Sequence, residues 1–146
     1  MRIVLQRVSR ASVTVENKIT GKIDDGLLLL VGIHPDDTEE TINWMGLKIL
    51  RLRVFEDGEK KMNLSVSDVK GGILVISQFT LYADTRKGTR PGFSEAAGPE
   101  FAKMMYEKFL TWLQVHSDLR IQTGVFGAMM NVDLVNKGPV TIILDK

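Results

Sequence analysis

Cysteine is absent from this sequence of 146 residues, and histidine occurs only twice. The absence of cysteine excludes disulfide bonds, a thiol nucleophile and thiolate ligands for zinc. The two histidines, His34 and His116, lack the short spacing of a histidine metal site, and there is no glycine-rich phosphate-binding loop. The Gly-x-Ser-x-Gly motif of many serine hydrolases is missing as well. We therefore expect neither a metal nor a cofactor.

Long apolar runs and an excess of one charge are missing too. The longest apolar run, residues 26–33, is far shorter than the ~20 residues that a membrane-spanning helix needs. The 19 basic residues nearly balance the 18 acidic ones, for a net charge of +1. These features predict a cytoplasmic protein without a membrane partner. Any binding of nucleic acid must then come from a local basic patch, because the overall charge supplies no attractive field.

The pattern of apolar residues predicts one domain of the α+β class, residues 1–146. Hydrophobic residues make up 44% and charged residues 25% of the chain, as in ordinary globular domains. Alternating apolar and polar residues predict strands in the first third. Two amphipathic segments predict helices, the first capped by Asp37 with Glu40 and the second beginning at Pro99. The order of strands, helix, strands, helix and strands indicates a largely antiparallel sheet.

Three polar segments could carry chemistry. In the first, Ser77-Gln78-Phe79-Thr80, hydroxyls and free backbone N–H groups meet where a strand leaves its sheet. Ser77 and Thr80 would point to opposite faces of a regular strand, so both can serve one site only if the chain bends there. The alternative is a strand end whose Ser and Thr satisfy backbone groups, and the segment by itself favours this alternative.

The second segment, residues 136–141, precedes the last predicted strand. Gly138 has no Cβ and Pro139 has no backbone N–H, so the pair can present bare main chain and carbonyl groups to a ligand. Proline also lowers the free-energy cost of a cis peptide bond at this position. An ordinary turn is the alternative, and it is the simpler interpretation of the segment taken alone.

The third segment is a long loop, residues 82–98, that has neither a helical nor a strand period. Loops of this length in small domains usually carry function or are mobile. The loop combines aromatic residues with three cations, which suits phosphates and unstacked bases; the cations are Arg86, Lys87 and Arg90. A solvated loop explains the same composition equally well.

Taken together, these segments resemble the D-aminoacyl-tRNA deacylase family. The resemblance spans essentially the whole chain at matching spacings, and the pairing of the first two segments is highly specific. It is carried by residues 1–8, Ser77-Gln78-Phe79-Thr80-Leu81 with Ala83-Asp84, residues 87–91, Ala96-Ala97 and residues 136–141. Gly92 departs from the family pattern, which has Ser there, and this puts only a loop contact in doubt.

The resemblance implies a homodimer with a barrel-like, mostly antiparallel core and two main helices. Its active sites would lie at the subunit interface, with a cis Gly138-Pro139 peptide reaching into the partner's pocket beside Ser77 to Thr80. The reaction would be hydrolysis of a D-amino acid, or of mischarged glycine, from tRNA. The partners implied are aminoacylated tRNA and a second copy of the chain, and no DNA is expected.

The resemblance also implies the roles of individual residues. Catalysis would fall to the first polar segment, that is to Ser77, Gln78, Phe79 and Thr80. Substrate binding would fall to two residues of the second segment, to the three cations of the loop and to one arginine of the first strand; these are Gly138, Pro139, Arg86, Lys87, Arg90 and Arg7.

The residue types of the second segment offer a physical reason for selection by handedness. An L-amino acid and its D-epimer differ only in the direction in which the side chain leaves Cα, and a side-chain pocket separates such ligands poorly. A rigid wall built from the carbonyl groups of Gly138 and Pro139 would admit a hydrogen but not a methyl group. We therefore expect glycine and D-residues to be accepted and every L-residue to be rejected.

The chemical step needs a way to stabilise the ester oxyanion and a way to activate water. The backbone N–H groups of Phe79 and Thr80 are the candidates for the oxyanion. No histidine or carboxylate is suitably placed in the sequence to activate water. Either Thr80 is a nucleophile without an obvious base, or the 2′-hydroxyl of the terminal ribose positions or activates the water. We favour the substrate hydroxyl.

Two other functions fit parts of the sequence. A nucleic-acid-binding protein without enzymatic activity would use the basic loop on phosphates, and its binding would weaken with salt. A hydrolase of small D-amino-acid esters or amides would not need that loop. The loop cations therefore distinguish the two alternatives from each other.

Overall fold

The long first strand organises the main sheet. The structure is a computed structural model that describes residues 1–146. The elements in chain order are β1 (Arg2–Val15), β2 (Lys18–Ile23), β3 (Gly26–Gly32), α1 (Glu39–Arg51), β4 (Phe55–Glu56), β5 (Met62–Leu64), β6 (Gly72–Ser77), α2 (Pro99–His116), β7 (Ile121–Thr123) and β8 (Asn131–Asp145), with a short 3₁₀ helix over Phe79–Tyr82. All strands except β4 and β5, which form a separate hairpin, belong to the main sheet.

Strand β1 pairs antiparallel with three neighbours. Its first half pairs with β3 and its second half with β2, while β8 runs along the opposite edge. Strands β6 and β7 extend the sheet beyond β3, and both of these pairings are parallel. They are parallel because α1 and α2 carry the chain back across the sheet before each new strand. The expectation of a largely antiparallel sheet is therefore met around β1 and wrong for β6 and β7.

The sheet curls until its two ends nearly meet. The strand order runs from β2 through β1, β3 and β6 to β7, yet β2 also lies against β7. A Cβ atom at Gly21 of β2 would lie only 2.6 Å from the main-chain oxygen of Thr123 in β7. Glycine is what allows this close approach. The barrel-like core with two main helices, which the resemblance implies, is confirmed.

The hydrophobic core lies on both faces of the curled sheet. On the outer face, α1 and α2 pack residues such as Met45 and Phe109 against Leu29 of β3. On the concave face, Leu28 of the same strand belongs to a second cluster with Leu74 of β6. Adjacent leucines of β3 thus serve different clusters, because successive side chains of a strand point to opposite faces. This rigid double-sided core positions the segments that leave the sheet edges.

The prediction that Asp37 caps the first helix is wrong. Thr38 is the N-cap of α1, and it forms a reciprocal capping box with the third residue of the helix. The Asp37 carboxylate is buried and accepts a hydrogen bond from the backbone N–H of His34 at 2.8 Å. It also binds the amino group of Met1. The Asp37 carboxylate therefore binds Met1, which is distant in the sequence, and does not cap the helix.

Helix α2 begins at Pro99, as the sequence predicts, because proline needs no N–H partner in a first helical turn. One face of α2 is buried through Met105 and Phe109. Its last residue, His116, stacks on Trp112 with ring centres 4.1 Å apart. Neither helix combines the length and the apolar character needed to cross a membrane.

Candidate active site

The chain bends directly after β6, at the first of the three polar segments. Strand β6 ends at Ser77, and the 3₁₀ helix begins at Phe79. The backbone N–H of Gln78 donates to the carbonyl of Val31 in β3 at 2.7 Å, which holds the bend against the sheet. The bend that Ser77 and Thr80 would need in order to serve one site is therefore present.

Main-chain donors and an aromatic ring are exposed at the start of the 3₁₀ helix. The first N–H groups of a helix have no partner within it, and here they belong to Phe79 and Thr80. Both residues are exposed. The Phe79 ring meets the ring of Phe93 edge-on, with ring centres 5.0 Å apart. The bend thus offers N–H donors beside an apolar surface.

The Thr80 hydroxyl has one hydrogen-bond partner in the chain, and that partner is not a base. The side-chain amide of Gln78 donates to Thr80 Oγ1 at 2.5 Å. An amide carries no basic group that could take the proton of a hydroxyl. No carboxylate or imidazole forms a hydrogen bond with Thr80 or Ser77. Within one chain, no base that could activate a nucleophile forms a hydrogen bond with the Thr80 hydroxyl.

The second polar segment forms a bulge inside strand β8, not a turn before it. On both sides of residues 137–140, β8 pairs with β1. These four residues, which we call the Gly-Pro bulge, stand opposite the single residue Arg7. The Gly138-Pro139 peptide is cis, and Gly138 has a φ of +141°. Both residues are exposed, so the bulge presents main chain at the surface.

Arg7 lies buried behind the Gly-Pro bulge, with only 5% of its surface exposed. Its Nε donates to the carbonyl of Lys137 at 2.8 Å, and its Nη1 donates to the carbonyl of Val54 at 2.6 Å. Its Nη2 is 3.6 Å from the carboxylate of Glu56, and a Cβ at Gly138 would come within 2.8 Å of the same atom. Arg7 therefore reaches the predicted substrate-binding region through the main chain of the bulge.

The third polar segment is closed at its base by two backbone hydrogen bonds between Asp84 and Gly92, of 2.7 and 2.9 Å. The Arg86 guanidinium donates twice to the Asp84 carboxylate, at 2.9 Å each, and these bonds lower the pKa of Asp84 to about 2. Lys87 and Arg90 are exposed and take part in no salt bridge. Two of the three predicted cations are therefore free to bind phosphates.

One chain holds the bend and the Gly-Pro bulge at different positions along β1. Arg2 donates from Nη1 to the carbonyl of Leu81, in the 3₁₀ helix, at 3.1 Å, whereas Arg7 holds the bulge. Five positions of strand separate these two anchors, about 17 Å at ~3.3 Å per residue, and their side chains leave opposite faces of β1. No hydrogen bond connects residues 77–80 with residues 137–140. Within one chain the two segments are therefore held by different anchors and share no hydrogen bond.

Arg2 supports the bend, although nothing in the sequence indicated this role. Its guanidinium lies over the ring of Tyr82, 4.9 Å from the ring centre, and forms a salt bridge with Asp145 at 2.6 Å. Burial raises the pKa of the Tyr82 hydroxyl. In the sequence Arg2 is only a polar position in an alternating strand, and its partners are distant.

No group of three or more histidine, aspartate or glutamate side chains is arranged to hold a metal ion.

Comparison with known proteins decides the family. The sequence model of the family described as D-Tyr-tRNA(Tyr) deacylase matches residues 4–145. The chain belongs to this deacylase family. A D-aminoacyl-tRNA deacylase of Exiguobacterium sp. is 57% identical to it, covering 100% of this chain and 99% of the relative. A D-aminoacyl-tRNA deacylase of Koribacter versatilis is 58% identical, covering 99% of this chain and 97% of the relative.

Two solved structures share the deacylase fold. The c-Myc DNA Unwinding Element Binding Protein has a TM-score of 0.95 at 43% identity, covering 100% of this chain and 99% of that chain. A probable eukaryotic D-amino acid tRNA deacylase has a TM-score of 0.85 at 19% identity, covering 99% and 98%. The second likeness concerns the fold alone. The resemblance to the deacylases and the prediction of a hydrolase are confirmed.

Proposed function

We propose that the protein hydrolyses the ester bond of D-aminoacyl-tRNA to free amino acid and tRNA, and that it also accepts glycine mischarged onto tRNA. Membership of the deacylase family supports the reaction class. The observation that carries the selection of substrate is the Gly-Pro bulge, where Gly138 and Pro139 present exposed main chain. Such a surface recognises the backbone of an amino acid, which all substrates share.

In this proposal each active site is assembled from two copies of the chain. The bulge of one copy completes the bend of the other. The different anchors of the two segments on β1, Arg2 for the bend and Arg7 for the bulge, support this division. An apolar row supports such a contact: Leu30, Val4 and Ile143 lie side by side on neighbouring strands, with Leu30 and Val4 half-buried and Ile143 67% exposed. A contiguous apolar surface is a common feature of association sites.

Mixing two inactive variants tests the assembly from two copies. Phe79→Pro removes a main-chain donor at a helix start that tolerates proline, and Gly138→Val removes the bare main chain of the bulge. Half of the dimers in an equal mixture contain both variants, and each of these has one of its two sites free of both substitutions. We expect about a quarter of the wild-type activity after co-refolding, because a shared site requires complementation between copies. An inactive mixture of folded mixed dimers would contradict the proposal.

Handedness is selected by the carbonyl groups of Gly138 and Pro139. They hold the ammonium group and Cα of the bound amino acid against a wall of main chain. The wall admits the hydrogen of a D-residue or of glycine and excludes the side chain of an L-residue by steric overlap. The buried Arg7 supports this wall, because its guanidinium is bound to Lys137 next to Gly138.

The N–H groups of Phe79 and Thr80 stabilise the oxyanion of the tetrahedral intermediate. One such donor typically contributes roughly 2.7–4 kcal/mol to catalysis. Water attacks the ester carbon with the help of the 2′-hydroxyl of the terminal adenosine, since the one partner of the Thr80 hydroxyl is the Gln78 amide. Ser77, Gln78 and Thr80 orient and support the pocket.

Aminoacylated tRNA is the proposed partner, and Lys87 and Arg90 contact its phosphates. Arg86 contributes less, because its guanidinium is already bound to Asp84. One structural relative is named for binding a DNA unwinding element, which is a statement about that protein. For this chain we expect no DNA partner.

Deacylation of matched D- and L-tyrosyl-tRNA tests the proposed function. We expect release of D-tyrosine at enzyme concentrations far below that of the substrate, and no release of L-tyrosine above the uncatalysed rate. Salt-sensitive binding without turnover would identify a nucleic-acid-binding protein instead. Equal rates on full-length charged tRNA and on the isolated aminoacyl-adenosine would identify a hydrolase of small esters.

A further inference from the structure

The Gly-Pro bulge interrupts the pairing of two strands. Regular pairing of β8 with β1 stops at Asn136, opposite Val8, and resumes at Thr141, opposite Gln6. The four residues between these points cannot all bond to β1, because only one residue of β1 faces them. Backbone groups that leave the ladder need other partners. The two ends of the bulge, at Asn136 and Thr141, therefore need a stabilising contact other than strand pairing.

Asn136 supplies such a contact to Val140, the last residue of the bulge. Its Oδ1 accepts a hydrogen bond from the Val140 N–H at 2.8 Å. Its Nδ2 donates to the Val140 carbonyl at 3.3 Å and to Thr141 Oγ1 at 3.0 Å. One side-chain amide thus pairs with both main-chain groups of Val140, as a neighbouring strand would. A side-chain amide can do this because it combines an acceptor with donors, like a peptide group.

Holding Val140 also restricts Gly138. A Cβ at Gly138 would lie 2.9 Å from Cγ2 and 3.1 Å from the main-chain nitrogen of Val140, so the two residues are in close contact. The other end of the bulge is held separately, by the hydrogen bond from Arg7 to the Lys137 carbonyl. Gly138 and Pro139 therefore lie between two anchored residues.

We propose that Asn136 is a positioning residue for the selection of handedness. Its amide holds Val140, so that the carbonyl groups of Gly138 and Pro139 keep one orientation toward the bound amino acid. Asn136 acts through Val140 and does not touch the substrate. The inference rests on the proposed function, since it assigns Asn136 to the specificity of that same site.

Asn136→Ala is the decisive variant, and Asn136→Asp is its partial counterpart. The alanine removes both contacts with Val140, whereas the aspartate keeps the acceptor for the N–H and loses the donor for the carbonyl. Thr141→Val is the near control, because it leaves both contacts of Asn136 with Val140 in place and removes the bonds that Thr141 Oγ1 accepts from Asn136 and from Gln6. Asn43→Ala is the distant control, because Asn43 is exposed on α1 and forms no side-chain hydrogen bond.

Two measurements are needed, and the first is independent of activity. Hydrogen exchange of the Val140 amide should be about tenfold faster in Asn136→Ala and unchanged in both controls, since a net hydrogen bond is worth about a factor of ten. The second measurement is the ratio of kcat/KM for D- and L-tyrosyl-tRNA. It should fall about tenfold in Asn136→Ala and less in Asn136→Asp, while the controls keep the wild-type ratio.

Different failures of the experiment have different meanings. Unchanged exchange at Val140 in Asn136→Ala would overturn the inference, and so would faster exchange with an unchanged ratio in an active enzyme. A wild-type protein that releases no D-tyrosine would instead overturn the proposed function, whatever the exchange rates are. If Asn136→Ala does not fold, Asn136→Asp carries the test through the D-to-L ratio alone, because it keeps the acceptor for the Val140 N–H and loses the donor for the Val140 carbonyl. An unchanged ratio in that variant would overturn the inference.

Discussion

Arg7 in β1 donates a hydrogen bond to the main-chain carbonyl of Lys137 in β8, at 2.8 Å and across 130 positions of the chain. The bond joins a buried guanidinium to the exposed Gly-Pro bulge. The same guanidinium donates to the carbonyl of Val54, at the start of the β4–β5 hairpin region. One side chain therefore links the stability of the fold to the geometry of the candidate site.

Arg7→Ala should destabilise the protein by about 3 kcal/mol, because the carbonyl groups of Val54 and Lys137 lose a charged donor. Urea unfolding followed by circular dichroism measures the effect. Arg10→Ala is the control, since Arg10 is exposed on the same strand and forms no salt bridge; it should change the free energy of unfolding by less than ~0.5 kcal/mol. Similar effects of the two substitutions would contradict a supporting role for Arg7.

Gly138→Ala should relax the rejection of L-aminoacyl-tRNA. The new Cβ would lie 2.8 Å from Nη2 of Arg7, and a φ of +141° is a conformation that L-residues rarely adopt, so the bulge must move. We expect the D-to-L ratio of kcat/KM on tyrosyl-tRNA to fall by about tenfold or more. The fold should lose roughly 1–3 kcal/mol of stability through backbone strain.

Gly127→Ala is the matched control for this strain. Gly127 has a φ of +77°, and a Cβ there would meet nothing within 4 Å. The control should therefore lose stability without a change of specificity. Full rejection of L-tyrosyl-tRNA by a folded, dimeric Gly138→Ala variant would exclude selection by the main-chain wall.

Thr80→Ala should slow deacylation of D-tyrosyl-tRNA by only about tenfold, because the Thr80 hydroxyl has an amide partner and no base. A tRNA that ends in 2′-deoxyadenosine should lose about 10²-fold or more, as expected when an activating group is removed. Single-turnover kinetics compare the two losses directly. The substrate-hydroxyl mechanism fails if the deoxy substrate reacts normally while Thr80→Ala is nearly inactive.

Arg86→Ala should raise the pKa of Asp84 from about 2 toward the ordinary value of ~3.9, because the side-chain bonds from Arg86 are the main cause of the shift. In the wild type, the pair orders the loop above pH ~4, and this contribution is lost as the pH falls through about 2, where the carboxylate takes up a proton. NMR titration of the Asp84 carboxyl carbon measures the pKa. Lys87→Ala is the control and should leave the midpoint unchanged.

Local patterns were sufficient for the features that depend on neighbouring residues. The start of α2 at Pro99 followed from the residue itself, and the aliphatic run that became β3 followed from its composition. The cap of α1 did not, because Asp37 has partners in Met1, 36 positions away, and in His34. The parallel pairing of β6 with β3 was missed for the same reason, since a strand does not encode its neighbour.

The amino-acid sequence was enough to find the segments that can expose main chain, bend or carry positive charge, namely residues 77–80, Gly138-Pro139 and the basic loop. The folded chain was needed to learn that four residues of β8 face Arg7 alone, that Arg86 is already bound to Asp84, and that the bend and the bulge have different anchors on β1. Glycine, proline and charge act locally, whereas strand register and hydrogen-bond partners join residues that are far apart in the chain.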